Sequence, residues 1–214
     1  MSKLAMASVA GVGSVAGVSG GAYLLTRNSS NALEIEKSKT LRTRLESENY
    51  TPLDVDNVSH KTHWDTSLTK YKVQYTSKNT WNDSQLKERC SELFNKEIIS
   101  DGDYTEARKY CVVPRDISGR LNDTGFHPLS TEESQESTKW TKLSEEYKKG
   151  GDGFKKLGDL EHNKASEPSS SALREKCKEV LKKDHWDADY DSLLESSTVW
   201  CTEEGFNKLP IGNA

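Results

Sequence analysis

A short segment of this sequence occurs twice, 76 positions apart, and that repetition constrains the fold more than any other feature. Residues 44–53 and 120–129 align without a gap, and the match continues for another twenty residues or so. Identical or similar residues occupy the pairs Arg44/Arg120, Leu45/Leu121, Tyr50/Phe126, Pro52/Pro128, Leu53/Leu129, Thr62/Thr138, Trp64/Trp140 and Tyr71/Tyr147. The sequence therefore predicts a tandem duplication, with a first unit at residues 44–115 and a second unit at residues 116–207.

The spacing of apolar residues predicts a mainly α-helical unit with short extended segments. Trp64, Leu68 and Tyr71 fall on one face of a helix of 3.6-residue period, and Trp140 and Tyr147 repeat that face in the second unit. Each unit opens with an Arg-Leu…aromatic-x-Pro-Leu lead, which we expect to be non-helical because proline disfavours helix before it. The second unit is looser, with a Ser/Gly-rich loop at residues 150–172.

The third matched element is a helix that carries one cysteine in each unit, within Leu-Lys-Glu-Arg-Cys and Leu-Arg-Glu-Lys-Cys. Asn82, with Gln85 three residues later, predicts the N-cap of the first copy. The core expected from the repeat consists of Leu45, Tyr50, Leu53, Trp64, Tyr71, Leu86, Leu121, Phe126, Leu129, Trp140, Tyr147 and Leu173.

The four cysteines permit three pairings, and the duplication favours one of them. Cys90 with Cys111 and Cys177 with Cys201 would let each unit close on itself, each bridge contributing about 3 kcal/mol in the chain-entropy model. Reduced core thiols, as in a cytoplasm, remain the alternative. A four-cysteine zinc site is less favoured because the ligands do not come in close pairs.

An uncharged segment at residues 4–26 lies between Lys3 and Arg27. At about 1.5 Å per residue it is long enough to cross a hydrocarbon core of about 30 Å, so residues 1–27 are expected to form a membrane anchor or signal-anchor in the lipid bilayer. Gly13, Gly17 and Gly21 recur at every fourth residue, a spacing that allows helix self-association, although low-complexity filler gives the same pattern. A cleaved signal peptide, cut near residues 19–22, is the alternative.

The location of the remaining chain follows from two opposing arguments. Basic residues after the segment favour a cytoplasmic location, whereas long domains cross membranes regardless of charge and the paired cysteines suit an oxidising exterior. We expect a protein of the cell membrane with most of the chain outside the cell: a polar stalk at residues 28–43, the two units, and a tail at residues 208–214.

The charge and the motifs exclude several functions. Thirty basic and 34 acidic residues are interleaved without a basic block, which argues against nucleic acid as a partner. No HExxH or GxSxG motif is present, and the histidines are not matched between units: His60 and His63 align with Glu136 and Lys139. We therefore expect no catalytic, cofactor-binding or metal-binding residue, with an enzyme whose site is dispersed as the alternative.

The residues quoted above, together with the opening Met-Ser-Lys-Leu-Ala-Met-Ala and the Tyr-Cys-Val-Val-Pro at residues 110–114, resemble a known family. It comprises the large paralogous sets of uncharacterised membrane and surface proteins of haemotropic mycoplasmas. The resemblance covers essentially the whole chain and implies a membrane-associated or surface protein. Because no activity is established for that family, the resemblance implies no catalytic residue. The expected function is a non-enzymatic binding or antigenic scaffold, with a protein or host-surface partner; a cytoplasmic-side membrane scaffold is the alternative.

Overall fold

A computed structural model describes residues 40–150, 155–164 and 171–209. The fold of these residues is mainly helical, as predicted, and the helices follow one another as α1 (Leu41–Ser47), α2 (Lys61–Gln74), α3 (Asp83–Phe94), α4 (Asp101–Tyr110), α5 (Ile117–Asp123), α6 (Ser137–Lys149), α7 (Ser171–Val180), α8 (Tyr190–Trp200) and α9 (Glu203–Lys208). None of the helices in these ranges has the length and apolarity that crossing a membrane requires. The expected anchor at residues 4–26, with Gly13, Gly17 and Gly21, lies outside the described residues.

Capping side chains explain where several helices begin and end. Asn82 caps α3 and exchanges hydrogen bonds with Gln85, as the sequence predicts, and Ser100 and Asp103 form the same capping box on α4. Helix α6 ends at Gly150, whose φ of 58° is a conformation that favours glycine. Local sequence therefore fixes these boundaries.

The lead segment of each unit is helical in its first half, so the prediction of a non-helical lead is wrong there. Helix α1 contains Arg44 and Leu45, and helix α5 contains Arg120 and Leu121. Proline restricts mainly the residue immediately before it, so Pro52 does not prevent a helix that ends at residue 47. Only the aromatic-x-Pro-Leu half of each lead is non-helical.

The described core extends beyond the predicted boundaries at both ends. Leu41 is fully buried although it lies in the expected stalk, and Leu209 is buried although it lies in the expected tail. Their side chains join the first and the second hydrophobic cluster, respectively. The helical units therefore take up part of each flanking segment.

Each unit closes through the same short antiparallel contact. The Leu53 N–H donates to Cys111 O at 2.8 Å in the first unit, and the Leu129 N–H donates to Cys201 O at 2.9 Å in the second. Bridges at Pro52/Val112 and Pro128/Thr202 extend the contact. In both units the Pro-Leu segment is thus held against the chain that follows the last cysteine.

A second matched contact fixes the first long helix of each unit. The Trp64 Nε1–H donates to Asp54 O at 3.2 Å, and the Trp140 Nε1–H donates to Ser130 O at 2.9 Å. Both tryptophans are buried, so the hydrogen bond satisfies the polar atom of an otherwise apolar ring. The loop before α2 and the loop before α6 are anchored alike.

Two disulfide bonds join the cysteines in the predicted pairs. Cys90 bonds to Cys111 with their Cα atoms 5.5 Å apart, and Cys177 bonds to Cys201 with a Cα separation of 5.6 Å. All four sulfur-bearing residues are buried. The first bridge ties α3 to the end of α4, and the second ties α7 to the end of α8.

Candidate functional site

The residues singled out from the repeat lie in two hydrophobic clusters, one in each unit, and none of them lines an open site. Most are buried, while Tyr50 and Phe126 are partly buried and pack against the two clusters. Trp186, from the loop before α8, packs against the first cluster although it belongs to the second unit. The matched residues therefore serve the interior of the protein.

The first unit contains a cluster of four aromatic rings around Tyr71. The Tyr71 ring centroid lies 4.5 Å from that of Tyr75, 5.4 Å from that of Trp81 and 5.0 Å from that of Tyr110. Rings at these distances are in direct contact, so no ligand can lie between them. The four rings pack against one another and do not form an aromatic cage.

A partly buried carboxylate lies beside this cluster of rings. Glu106 accepts hydrogen bonds from the Tyr71 hydroxyl at 2.9 Å and from Arg89 Nε and Nη2 at 2.9 and 2.7 Å. Burial acts to raise the pKa of Glu106, but the hydrogen bonds from Arg89 and Tyr71 outweigh it and hold the pKa below its usual value. Glu106 is therefore an ionised and fully satisfied partner, which suits a structural role.

In the second unit, residues 155–164 cover the tyrosine that corresponds to Tyr71. The Tyr147 hydroxyl donates to Leu160 O at 2.7 Å and accepts from the Leu157 N–H at 2.9 Å. Leu157 is fully buried, and the Trp200 Nε1–H donates to Lys155 O at 2.9 Å. A longer segment of the chain thus replaces the Arg89–Glu106 pair of the first unit.

A surface groove of about 460 Å³ lies beside this covering segment. Part of its charged lining is paired within the groove: Lys176 Nζ lies 2.6 Å from Asp159 Oδ1 and 2.8 Å from Glu179 Oε2. The hydrogen bond from Lys176 holds the pKa of Asp159 below its usual value.

The junction between the two units is built around Arg120. Its guanidinium donates to Asn49 O at 2.8 Å and to Glu48 O at 2.7 Å, and lies 3.6 Å from the centre of the Tyr50 ring. These carbonyls belong to the C-terminal end of α1, where a cation is favoured by the helix dipole. The matched Arg44 is instead exposed and pairs with Glu48 at 3.2 Å.

Four further side chains complete the junction. Arg108 donates two hydrogen bonds of 2.6 Å to the carboxylate of Asp191. His185 Nε2 lies 3.1 Å from Arg108 O, and the Trp186 Nε1–H donates to Lys109 O at 2.9 Å. Burial, followed by the charge of Arg108, lowers the pKa of His185 to about 4. His185 is therefore neutral at physiological pH and acts as a structural residue of the junction.

The carboxyl groups of the described residues share one direction of pKa shift wherever a shift is present. Among the described residues, each carboxyl group whose pKa is shifted has it shifted downwards, and none is held protonated at neutral pH. Across the same ranges, no three His, Cys, Asp or Glu side chains are arranged to hold a metal ion. No reactive combination is visible in this part of the chain.

The exposed large apolar side chains of the described residues all lie in the first unit. Val55 and Val58 are 57% and 91% exposed in one loop, and Val73 and Ile98 are exposed elsewhere. We call residues 54–60 the valine loop. The matched positions in the second unit are Thr131 and Ser134.

Sequence reasoning missed the junction residues and the Arg89–Glu106 pair. Neither Arg108 nor Asp191 belongs to a motif, and their partnership joins positions 83 residues apart. The mismatch between Arg44 and Arg120 environments could not be read from the repeat, because the residues are identical. The one available signal was the pair of tyrosines on the matched helix faces, because their hydroxyl groups need hydrogen-bond partners once they are buried.

The chain matches none of the family models, curated proteins or solved structures with which it was compared.

Proposed function

We propose that this chain is a non-enzymatic binding scaffold, anchored in the cell membrane by residues 4–26 and displayed outside the cell. The observation that carries the proposal is the pair of buried disulfides, one in each unit. Disulfides persist in oxidising surroundings and are rare in the cytosol. The exposed valines of the first unit provide the surface that is most suited to a protein partner.

Two measurements test this proposal. Non-reducing mass spectrometry of native material should find Cys90 linked to Cys111 and Cys177 linked to Cys201; four free thiols would instead favour a scaffold on the cytoplasmic side of the membrane. Protease treatment of intact cells should remove residues 28–214. A protected segment, cleaved only after lysis, would contradict external display even if the disulfides are present.

We further infer that the two units arose by tandem duplication. The matched Pro-Leu contacts, tryptophan hydrogen bonds and disulfides support this inference. Exchange of residues 54–60 with residues 130–136, which lie between matched anchors, tests it. Equivalent units should accept the exchange with a change in unfolding free energy of no more than about 1 kcal/mol, whereas loss of folding would contradict the equivalence.

Membership of the paralogous mycoplasma proteins remains part of the same proposal. It is supported by the composition of the first seven residues and by the two lead segments. It would account for a surface scaffold without a catalytic site, and it predicts that antibodies raised against residues 40–209 label intact cells. Labelling that requires permeabilised cells would contradict it.

A further inference from the structure

The centre of the solvent-facing side of α2 carries no charge. Five side chains, at spacings of three or four residues, lie along it: Val58, Thr62, Thr66, Thr69 and Val73. Val58 comes from the valine loop just before the helix, and Val58 and Val73 are 91% and 75% exposed. Residues three and four apart are neighbours on a helix surface, so these side chains form one continuous strip. We call it the β-branched row.

Two of the threonines in this row already have partners for their hydroxyl groups. The Thr66 hydroxyl donates to Thr62 O at 2.9 Å, and the Thr69 hydroxyl donates to Asp65 O at 2.9 Å. A hydroxyl group that is bonded to the carbonyl four residues earlier does not need water as a partner. Covering the row therefore leaves these two groups satisfied, while the apolar side chains at its ends gain free energy from burial.

The matched row of the second unit is charged. It lies on α6 and the loop before it, and its residues, all exposed, are Ser134, Thr138, Lys142, Glu145 and Lys149. Helices α2 and α6 bury matched tryptophans and tyrosines on their inner faces, so packing within a unit does not account for the difference on the outer faces. The uncharged row thus points to a contact outside the unit, which α2 makes and α6 does not.

Two side chains of opposite charge flank the β-branched row on the same edge. Asp65 and Lys72 are seven residues apart, so they lie within about 20° of each other around the helix axis. Within the described ranges, neither side chain forms an ion pair or a hydrogen bond. When two antiparallel helices pack through one face, equal edges come together. An acidic and a basic group on one edge can therefore pair with their counterparts on a second, identical helix.

We propose that the β-branched row is a self-association surface, on which a second copy of this chain packs its own α2 in antiparallel orientation. With the two-fold axis between Thr66 and Thr69, each of these residues meets the other across the interface, and Thr62 meets Val73. Asp65 of each copy then lies within reach of Lys72 of the other. A two-fold interface needs a patch that is complementary to itself, and this row meets that requirement in both shape and charge.

The size of the row sets the strength of the dimer. From Thr62 to Val73 the helix is about 17 Å long. A contact between two such rows is smaller than the total buried area of about 1,600 Å² in a standard stable interface, so we expect a dissociation constant of about 10–100 μM.

Sedimentation of the full chain in detergent, over a range of concentrations that spans these values, tests the proposal. Thr69→Lys should weaken association at least about tenfold, because it places two lysines against each other near the two-fold axis. Glu145→Lys, at the matched position of α6, is the control and should leave association unchanged. A chain that stays monomeric would overturn the proposal. So would association that Thr69→Lys does not alter, as expected if residues 4–26 or a different surface were responsible.

A charge exchange tests the antiparallel arrangement itself. Asp65→Lys should weaken association about tenfold, since it replaces two attractive pairs with two repulsive ones. Adding Lys72→Asp to the same chain restores both pairs and should restore the affinity. Failure of the double variant to recover would contradict the arrangement, provided that thermal unfolding shows both variants to be folded.

Cross-linking decides the arrangement without any variant. A carbodiimide joins a carboxylate directly to an amine, and an equal mixture of ¹⁵N-labelled and unlabelled chains distinguishes links between copies from links within one. Mass spectrometry should find Asp65 of one copy joined to Lys72 of the other. Mixed dimers that lack this link would overturn the proposal.

Discussion

The two units share their backbone contacts but cover their central tyrosines in different ways. In the first unit Tyr71 donates to Glu106, which Arg89 holds from the other side. In the second unit the Tyr147 hydroxyl forms hydrogen bonds with backbone atoms, supplied by Leu157 and Leu160 of a longer connecting segment. Each matched tyrosine thus has a polar partner for its hydroxyl group, but the partner differs between the two units. The surroundings of the two tyrosines could therefore diverge.

The largest expected effect on stability comes from removing the disulfides, and it tests whether the two units are equivalent. Replacing Cys90 and Cys111 together by serine should lower the free energy of unfolding by about 3 kcal/mol, and so should replacing Cys177 and Cys201. The expected losses are similar because the bridges span 21 and 24 residues. Chemical denaturation of the full chain measures both; a loss in only one double variant would break the comparison.

Gly205 marks a difference in how the units end, because α9 follows only the second disulfide. A Cβ at Gly205 would lie 2.2 Å from Val199 O, whereas a Cβ at Gly102 would meet only Ser100 Oγ at 3.8 Å. Gly205→Ala should therefore lower the free energy of unfolding by about 2 kcal/mol, because the added methyl group overpacks the site. The control variant Gly102→Ala, within α4, should raise the free energy of unfolding by about 0.5 kcal/mol. Thermal unfolding of the two variants compares them, and equal effects would contradict the steric argument.

The junction should weaken in acid because His185 is buried in its neutral form. The pKa of His185 is about 4, below the value of 6.5 for a free side chain, so the unfolded chain binds more protons between these values. The contribution to stability is complete above about pH 6.5 and is lost as the pH falls towards 4, at a cost of up to about 3 kcal/mol.

The variant His185→Gln isolates this contribution from the carboxylates that also titrate. Its unfolding free energy should fall less steeply between pH 6.5 and 4 than that of the natural chain. Parallel pH profiles for the natural chain and His185→Gln would show that the histidine does not govern the junction.

The smallest expected effects concern buried hydroxyl groups, and they sharpen the comparison of the two helices that carry the matched tryptophans. Ser67 in α2 and Ser144 in α6 have buried Oγ atoms without a hydrogen-bond partner. Ser67→Ala and Ser144→Ala should each stabilise by up to about 1 kcal/mol, because a buried unpaired hydroxyl costs free energy. A clear loss of stability in either variant, measured by denaturant unfolding, would reveal a partner for that hydroxyl.

Much of the scaffold was predictable because its determinants are local or repeated. Asn82 and Gln85 specify a capping box by their own spacing, and the repeat places Cys90 near Cys111 without any knowledge of the fold. The helices α1 and α5 were missed because seven-residue helices show too few turns for a hydrophobic period to emerge. The prediction of a non-helical lead therefore relied on the proline that follows, although proline restricts mainly the residue immediately before it.

The sequence by itself determined the helical class, the cysteine pairs and the matched residues of the two cores, because these depend on periodicity and on comparison of one unit with the other. Tertiary structure alone decided what the unmatched residues do. Aligned with Glu136, His60 looked like a residue the repeat had not retained, yet both accept the same backbone hydrogen bond. Identical Arg44 and Arg120 took different roles, because only Arg120 lies where the two units meet. The role of a side chain cannot be read from its identity where its contacts come from residues that are distant in the sequence.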